Sequence, residues 1–224
     1  MNLLDLLFPK KCVGCGKSGK YFCDQCIKNI AASKPVCPYC KYYSFASRTH
    51  SRCVKKYGLD GLITVFYYRD VVREGIKLLK YNFITDLADE FVGLAINRID
   101  KSALQLKNPV IIPIPLHKKR ENWRGFNQSE ALTRILSDEL NWEMNTNILR
   151  RVRNTEQQAR LNKKDRLRNL CGVYAVNNQI LDKFSDRNLV LFDDVWTTGT
   201  TIKEACKILK KNGAKTVWGM AVAR

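Results

Sequence analysis

Residues 188–201 read NLVLFDDVWTTGTT, and they decide how the rest of the chain is interpreted. They begin with an apolar run at 189–192, which is typical of a strand buried on both faces of a parallel sheet. Two carboxylates, Asp193 and Asp194, stand where that strand should end. A threonine-rich loop follows, and the apolar spacing of residues 202–209 predicts a helix after it. The stretch therefore predicts an α/β fold.

The loop after this strand has the chemistry of a phosphate site. Hydroxyl groups, backbone N–H groups and the positive end of a helix dipole all attract phosphate, and glycine permits a close approach of the backbone. The upstream carboxylates can accept hydrogen bonds from ribose hydroxyls and can lie near Mg²⁺. The alternative is an ordinary strand–loop–helix with a threonine N-cap, for which two carboxylates would be a costly addition. The candidate phosphate-binding residues are Thr197, Thr198, Gly199, Thr200 and Thr201.

The same string resembles the 5-phosphoribosyl-1-pyrophosphate (PRPP) motif of type I phosphoribosyltransferases. That motif has four apolar residues, two acids, three further positions and T-G-x-T, and every position is filled here. The resemblance implies the parallel sheet flanked by helices of those enzymes, together with a sugar-phosphate pocket. It bears more directly on the fold and the pocket than on catalysis.

The chain carries a strong positive charge. Its 224 residues have a formal net charge of +18, and residues 1–58 hold 11 Lys and Arg against two Asp and Glu. This excess indicates a polyanionic partner, most simply a nucleic acid; solubility alone and attraction to anionic lipid are the alternatives. The length allows one α/β core plus a small appendage, so we divide the chain into a zinc-binding module, 1–58, and a phosphoribosyltransferase-like domain, 59–224.

The sequence offers no targeting or membrane signal. No apolar run approaches the roughly 20 residues needed to span a bilayer. The start, MNLLDLLFPKK, contains Asp5 and lacks a small-residue cleavage site, which argues against a signal peptide. We therefore expect a cytoplasmic protein without a transmembrane segment. Nine cysteines in such a chain favour metal binding over disulfides.

The cysteines of residues 1–58 come in pairs with zinc-ligand spacing. Three C-x2-C pairs and one H-x2-C pair are enough for two tetrahedral Zn²⁺ sites, and zinc would supply folding energy to a segment with little core. We favour sequential sites, although an interleaved arrangement fits the same spacing. Reduced cysteines without metal are the alternative, especially at the second site with its histidine, so we expect one or two zinc ions. The first site is Cys12, Cys15, Cys23 and Cys26, and the second is Cys37, Cys40, His50 and Cys53.

Aromatic residues lie among lysines between these pairs. They can stack the bases of a single-stranded nucleic acid while the cations hold its phosphates. They can equally form the core of a small zinc module, and the sequence favours neither interpretation. The residues are Tyr21, Phe22, Tyr39, Tyr42, Tyr43 and Phe45.

A second candidate stretch, LHKKRENWRGFNQ at 116–128, follows a predicted strand at 109–114. A helix is predicted after it at 129–140, with Ser129 as a candidate N-cap. Ligands of open α/β sheets bind beyond the carboxyl ends of the strands, so a cationic loop there suits a second phosphate group. A surface histidine and a purely structural signature are the alternatives. The candidates are Leu116, His117, Lys118 and Lys119 for the phosphate, and Arg124, Gly125, Asn127 and Gln128 for its support.

Residues 149–169 are strongly basic, with eight Lys and Arg against two acids. We predict a mobile loop that runs into a basic helix. A solvated face is one interpretation, and a lid over a polyanionic ligand is the other. The candidate lid residues are Arg153, Gln158, Arg160 and Arg166.

The rest of the pattern gives the framework of the second domain. Apolar runs predict strands at 62–68, 172–176 and 216–222, and apolar spacing predicts helices at 71–79 and 86–99. The lone cysteines, Cys171 and Cys206, lie in apolar patterns and are predicted core residues.

Together, these stretches resemble the ComF family over nearly the whole chain. The resemblance depends on LLDLLFPKKCVGCG, IPIPLHKKRENWRGFNQSEAL, ILRRVRNTEQQARLNKKDRLRN and LVLFDDVWTTGTTIKEACKILKKNGA. It implies an N-terminal zinc module joined to a phosphoribosyltransferase-like domain. It also implies a role in handling incoming single-stranded DNA during natural transformation.

Carried over by position, the resemblance implies that Asp193 and Asp194 face the ribose hydroxyls of PRPP and that residues 197–201 bind its 5′-phosphate. Residues 116–119 would lie near the pyrophosphate, and the signature at 124–128 would support the phosphates. Trp196 departs from the motif because it is bulky; it could pack on a ligand ring or cover the pocket rim.

Two main functions follow. The first is a DNA-uptake protein that binds single-stranded DNA and PRPP and works with DNA-uptake or recombination proteins. The second is an active phosphoribosyltransferase that releases Mg²⁺-bound pyrophosphate through a cationic transition state, although no base-recognition element can be identified in the sequence. A purely regulatory PRPP-binding protein ranks last.

Overall fold

A five-stranded parallel sheet organises the computed structural model, which describes residues 9–81, 84–153 and 172–224. The strands follow the order β1-β7-β6-β2-β3, and every neighbouring pair is parallel. A separate antiparallel pair, β4-β5, stands beside the sheet. The strands are β1 Gly61–Phe66, β2 Pro109–Pro113, β3 Glu143–Met144, β4 Leu149–Arg151, β5 Tyr174–Val176, β6 Asn188–Val195 and β7 Thr216–Ala223.

Helices accompany the sheet along the described ranges. They are α1 Asp24–Lys28, α2 Asp70–Tyr81, α3 Thr85–Arg98, α4 Lys118–Arg124, α5 Gln128–Leu140, α6 Asn178–Leu181 and α7 Thr200–Lys211. Short 3-10 turns lie at Phe45–Ser47, Ser51–Cys53, Lys101–Leu104 and Asp182–Phe184. The predicted class, a parallel sheet flanked by helices after a cysteine-rich N-terminal module, is confirmed.

Both faces of the sheet are covered because its strands are apolar on both sides. Along β6, Val190 and Phe192 belong to one hydrophobic core, whereas Leu189 and Leu191 belong to the other. The first core contains residues of α2, α3 and α5, and the second contains residues of α7 and of the β4-β5 pair. Ligands are therefore excluded from both faces, and the loops at the carboxyl ends of the strands remain for binding.

Two local predictions are wrong. The N-cap of α5 is Asn127, whose side chain accepts a hydrogen bond from the backbone N–H of Ser129 at 3.1 Å, so Ser129 is already inside the helix. Residues 149–151 form a strand instead of a loop, because Tyr174–Val176 pairs with them. The buried position predicted for Cys206 is confirmed, and Cys171 lies outside the described residues.

The cysteine-rich module packs tightly against the sheet. Phe22 is stacked on Phe91 of α3, with ring centroids 5.3 Å apart, and Glu90 accepts hydrogen bonds from the backbone N–H groups of Tyr21 and Phe22. The module also covers the outer side of β1, the edge strand, through antiparallel bridges from Ala32 to Phe66 and from Arg48 to Gly61.

Candidate phosphate-binding site and metal centres

A cavity of about 470 Å³ opens where β6 ends and α7 begins. Its lining includes both carboxylates and the whole threonine loop singled out in the sequence, together with two residues of the 124–128 signature. The lining also includes residues that sequence reasoning missed. The expected residues are Asp193, Asp194, Thr197, Thr198, Gly199, Thr200, Thr201, Asn127, Gln128 and Leu116; the missed ones include Lys80, Tyr68, Ser129 and Arg151.

The two carboxylates are held differently. Asp193 Oδ1 accepts hydrogen bonds from the hydroxyl of Ser129 and from the backbone N–H of Asp194, both at 3.0 Å. Asp194 is buried, and its Oδ2 lies 2.9 Å from Nζ of Lys80 at the end of α2. One carboxylate is therefore oriented by a hydroxyl and an amide, and the other is matched by a cation.

The electrostatics of this group follow from its burial. Burial, with the neighbouring charge of Asp194, raises the pKa of Asp193 to about 7, although Lys80 and the hydrogen bond from Ser129 act in the other direction. Burial of Lys80 acts to lower the pKa of its amine, but the charge and hydrogen bond of Asp194 outweigh it, so this pKa is raised. Asp193 is consequently poised to change charge close to neutral pH.

The threonine loop enters α7 through a glycine in a left-handed conformation. Gly199 is the N-cap of α7 with φ 71°, a left-handed conformation that glycine adopts without strain. A Cβ at this position would overlap the ring of Trp196, so the glycine also makes room for the tryptophan. The hydroxyls of Thr198 and Thr200 lie 2.7 Å apart. Trp196 thus packs beneath the loop in the second core.

The signature at 124–128 combines a structural residue with one that faces the cavity. Asn127 caps α5, and its amide also donates to the carbonyl oxygen of Ile114 at 3.3 Å, which fixes the chain beyond β2. Gln128 lines the cavity and is 2% exposed, yet neither its Oε1 nor its Nε2 has a hydrogen-bond partner among the described residues. A buried amide left unpaired in this way is costly and points to a polar ligand.

The predicted pyrophosphate loop and the basic segment each contribute one described residue to the cavity lining. Of the predicted pyrophosphate loop, Leu116 lines the cavity, whereas His117 and Lys118 lead into α4 and are absent from the lining. Gly125 has φ 81° between α4 and α5. Arg151, and not Arg153, represents the basic segment in the described lining. The predicted site residues that lie outside the described residues are Gln158, Arg160 and Arg166, and the side chains of Lys119 and Arg124 lie outside them too.

Two clusters of metal ligands lie in the N-terminal module. In each, the candidate ligand atoms all lie within 4.8 Å of one another, and the grouping is sequential along the chain. The first cluster is Cys12, Cys15, Cys23 and Cys26, and the second is Cys37, Cys40, His50 and Cys53. Four sulfur or imidazole ligands at such spacing fit tetrahedral Zn²⁺.

Two thiols of the first cluster have pKa values shifted in opposite directions. Burial acts to raise the pKa of the Cys12 thiol, but backbone N–H groups, led by that of Cys23, lower it to about 6. By contrast, burial and the neighbouring thiols raise the pKa of Cys26 to about 12. A cation beside Cys26 would favour its ionised form, so zinc binding would release protons.

The histidine of the second cluster is oriented for metal binding. His50 Nδ1 lies 3.1 Å from Sγ of Cys40, and its Nε2 lies 3.0 Å from the carbonyl oxygen of Tyr43. A ring nitrogen that donates to a carbonyl leaves the other nitrogen as the ligand, which is the usual arrangement at metal sites.

Some aromatic residues of the module are buried and others are exposed. Phe22 is buried in the first core, and the hydroxyl of Tyr39 accepts the backbone N–H of Leu59 at 2.8 Å. Tyr42, Tyr43 and Phe45 are instead exposed, at 69%, 64% and 73%. We term these three residues the aromatic patch. They belong to neither hydrophobic core of the described residues.

Comparison with known proteins agrees with this geometry. Residues 3–54 match the family described as a double zinc ribbon domain. Over 96% of its length the chain is 33% identical to Competence protein F of Haemophilus influenzae, and the match covers 98% of that protein. The chain belongs to the ComF family. As in the family pattern, the N-terminal module is a double zinc ribbon with two cysteine-rich zinc-binding sites.

Other ComF relatives extend the comparison. The chain is 31% identical to DNA utilization protein YhgH of Shigella flexneri over 87% of this chain and 86% of that one. It is 30% identical to Competence protein ComFC of Bacillus subtilis over 67% of this chain and 58% of that one. In the described ranges, this ComF chain has no helix with the length and apolarity required to cross a membrane.

Proposed function

We propose that this ComF-family chain is a DNA-uptake protein that binds single-stranded DNA and PRPP. The observation that carries the proposal is the convergence, in one cavity, of two carboxylates, a phosphate-type threonine loop and the unpaired amide of Gln128. The names of the relatives, competence proteins and DNA utilization proteins, support the DNA-uptake role.

The cavity suits the parts of PRPP. Residues 197–201 would hold the 5′-phosphate through hydroxyls, backbone N–H groups and the N-terminus of the twelve-residue helix α7. Asp193 and Asp194 would accept hydrogen bonds from the ribose hydroxyls. Lys80, Arg151 and the amide of Gln128 add positive charge and polar contacts along the same lining. Mg²⁺ bound with PRPP would offset the charge of the pyrophosphate.

The second half of the N-terminal module, residues 37–58, which we term the second ribbon, suits single-stranded DNA. The aromatic patch offers faces on which bases can stack, and exposed Lys41 precedes it. The formal net charge of +18 adds attraction to phosphates over the whole surface. Binding to DNA should consequently weaken steeply as salt rises.

The PRPP assignment can be tested with a double variant. Asp193→Asn with Asp194→Asn should lose detectable PRPP binding by calorimetry, while circular dichroism and zinc content stay as in the wild type. Asp138→Asn with Asp182→Asn removes the same charge from exposed positions outside the cavity and serves as the control. Normal PRPP affinity in the first variant would refute the assignment.

Phosphoribosyl transfer is the second candidate function. The carboxylate pair favours it, because carboxylates in a buried cavity can stabilise the positive charge that develops as pyrophosphate leaves. Pyrophosphate release from PRPP with Mg²⁺ should be measured across nucleobases and with single-stranded DNA. Turnover with any acceptor would make the protein an enzyme, and tight PRPP binding without turnover would leave the DNA-uptake proposal as it stands.

A further inference from the structure

A second cavity, of about 480 Å³, lies between the second ribbon and α7. We term it the lysine cleft. Its walls carry four lysines and two tyrosines against one carboxylate, that of Glu204. The cationic and aromatic lining residues are Tyr39, Lys55, Lys56, Tyr57, Lys203 and Lys207.

Two lysines of the cleft, Lys55 and Lys56, are each positioned over an aromatic ring. The ammonium of Lys55 lies 4.8 Å from the ring centroid of Tyr39, and that of Lys56 lies 5.4 Å from the ring of Tyr57. Cation–π contacts of this kind orient a lysine while it keeps its charge. Lys55, Lys56 and Lys207 are exposed, and no carboxylate of the described residues forms an ion pair with them.

The cleft adjoins the threonine loop, residues 197–201, which we also term the phosphate loop. Thr198 and Thr200 line both cavities. Lys203 connects the two sides, since its Nζ donates to the carbonyl oxygen of Thr198 at 3.1 Å and lies 5.4 Å from the ring centroid of Tyr39. A ligand in the cleft would therefore end beside the loop that holds phosphate.

We propose that the lysine cleft binds the phosphodiester backbone of single-stranded DNA and leads one strand from the second ribbon to the phosphate loop. Cations on two walls match a chain of phosphates. The inference rests on the proposed function, because it states where the DNA lies, and it makes the ribbon and the α/β domain act on one ligand.

The test compares two charge-matched triple variants of the full chain. Lys55→Gln, Lys56→Gln and Lys207→Gln remove three cations from the cleft. The control variant loses three exposed lysines that lie near the amino ends of the strands, opposite the end where the first cavity opens. Its substitutions are Lys101→Gln, Lys107→Gln and Lys183→Gln. The affinity of each protein for a fluorescent oligothymidylate is measured across a series of salt concentrations.

The cleft variant should bind about tenfold more weakly at low salt, and its log-affinity against log-salt slope should be shallower by about 2, since each phosphate contact on a single strand adds about 0.7. The control variant should keep the slope of the wild type. Equal losses in the two variants would overturn the cleft as the DNA site, because they would reflect net charge alone.

Two further measurements distinguish failure of this inference from failure of the proposed function. PRPP affinity should be unchanged in the cleft variant, because none of the three lysines lines the first cavity. If the wild type fails to bind oligothymidylate, the DNA part of the proposed function falls, and the inference falls with it. Inorganic tripolyphosphate is the competitor: displacement of it by oligothymidylate supports the cleft as a DNA site, and tight tripolyphosphate binding that the oligonucleotide cannot displace overturns it.

Discussion

At the scale of single residues, Asp193 makes the charge of the first cavity depend on pH. Its carboxylate is oriented by Ser129 and by the amide of Asp194, and its pKa is raised from 3.8 to about 7 by burial and by the neighbouring charge. Because the folded pKa lies above the unfolded one, protonated Asp193 stabilises the fold, and this contribution is lost as pH rises through the range from about 4 to about 7.

Ligand binding should depend on pH in the opposite sense. Ribose hydroxyls donate to the ionised carboxylate, so PRPP affinity should rise between about pH 6 and about pH 8 in the wild type, with proton release on binding. Calorimetry in buffers of different ionisation enthalpy measures both quantities. Asp193→Asn is the control, because the titration of PRPP itself is the same for both proteins. A pH profile shared by wild type and variant would contradict the role given to Asp193.

Gly199 should be sensitive to a single added methyl group. Gly199→Ala introduces a left-handed non-glycine residue and a clash with Trp196, whereas Gly213→Ala, at φ 107°, meets no atom within 4 Å. We expect a loss of about 1–2 kcal/mol in the free energy of unfolding for Gly213→Ala and a loss larger by about 1–3 kcal/mol for Gly199→Ala. Urea denaturation measures both. Equal losses would mean that Trp196 yields to the methyl group.

The sequence reveals some of these residues and not others for a physical reason. Asp193, Asp194 and the threonine loop are contiguous, so one strand exit and one helix start place them together. Lys80 reaches the cavity only because α2 packs into the same core as β6, and its helix has the ordinary amphipathic pattern. No local signal distinguishes such a lysine from a solvated one.

At the scale of elements, the junction of β2 with α5 depends on Asn127. One side chain caps the helix and ties down the backbone at Ile114. The sequence prediction placed the cap at Ser129 and was wrong, because Asn127 and Ser129 are both good capping residues within one turn. Likewise, β4 could not be predicted, since its three residues form a strand only against a partner beyond residue 171.

Replacing this cap should loosen the edge of the cavity. Asn127→Ala should lower the free energy of unfolding by about 1 kcal/mol or more and weaken PRPP binding, because Gln128 and Ser129 follow directly in α5. Asn127→Asp keeps an acceptor for the N–H of Ser129 and should retain most of the stability. Thermal and urea denaturation of both variants measure the cap, and equal destabilisation would assign the loss to the contact with Ile114 instead.

At the scale of the whole molecule, the zinc ribbons and the α/β domain share one core. Phe22 and Ile30 of the ribbon region belong to the same cluster as residues of α2, α3 and β1. The cysteine spacing predicted two metal sites, but this packing follows from three-dimensional contacts that no spacing encodes. Zinc binding and the stability of the sheet should consequently be linked.

Removing zinc should therefore destabilise the entire chain. A chelator or Cys12→Ser should lower the temperature of the main calorimetric unfolding transition, because the ribbon that carries Phe22 loses its fold. Cys206→Ala is the control for metal content, since Cys206 lies in the second core away from both clusters and its loss should leave two zinc ions bound. An unchanged transition after complete zinc removal would show that the two parts are independent.

The six-residue strand β1 has its outer side occupied only by bridges from the ribbon region, as far as the described residues show. Metal starvation or thiol oxidation would strip that cover and present bare N–H and C=O groups to other chains. Molecules in this state would then join edge to edge into aggregates. Bound zinc would thus keep the protein soluble. In a zinc-poor cell the protein would precipitate instead of remaining in solution with part of its function.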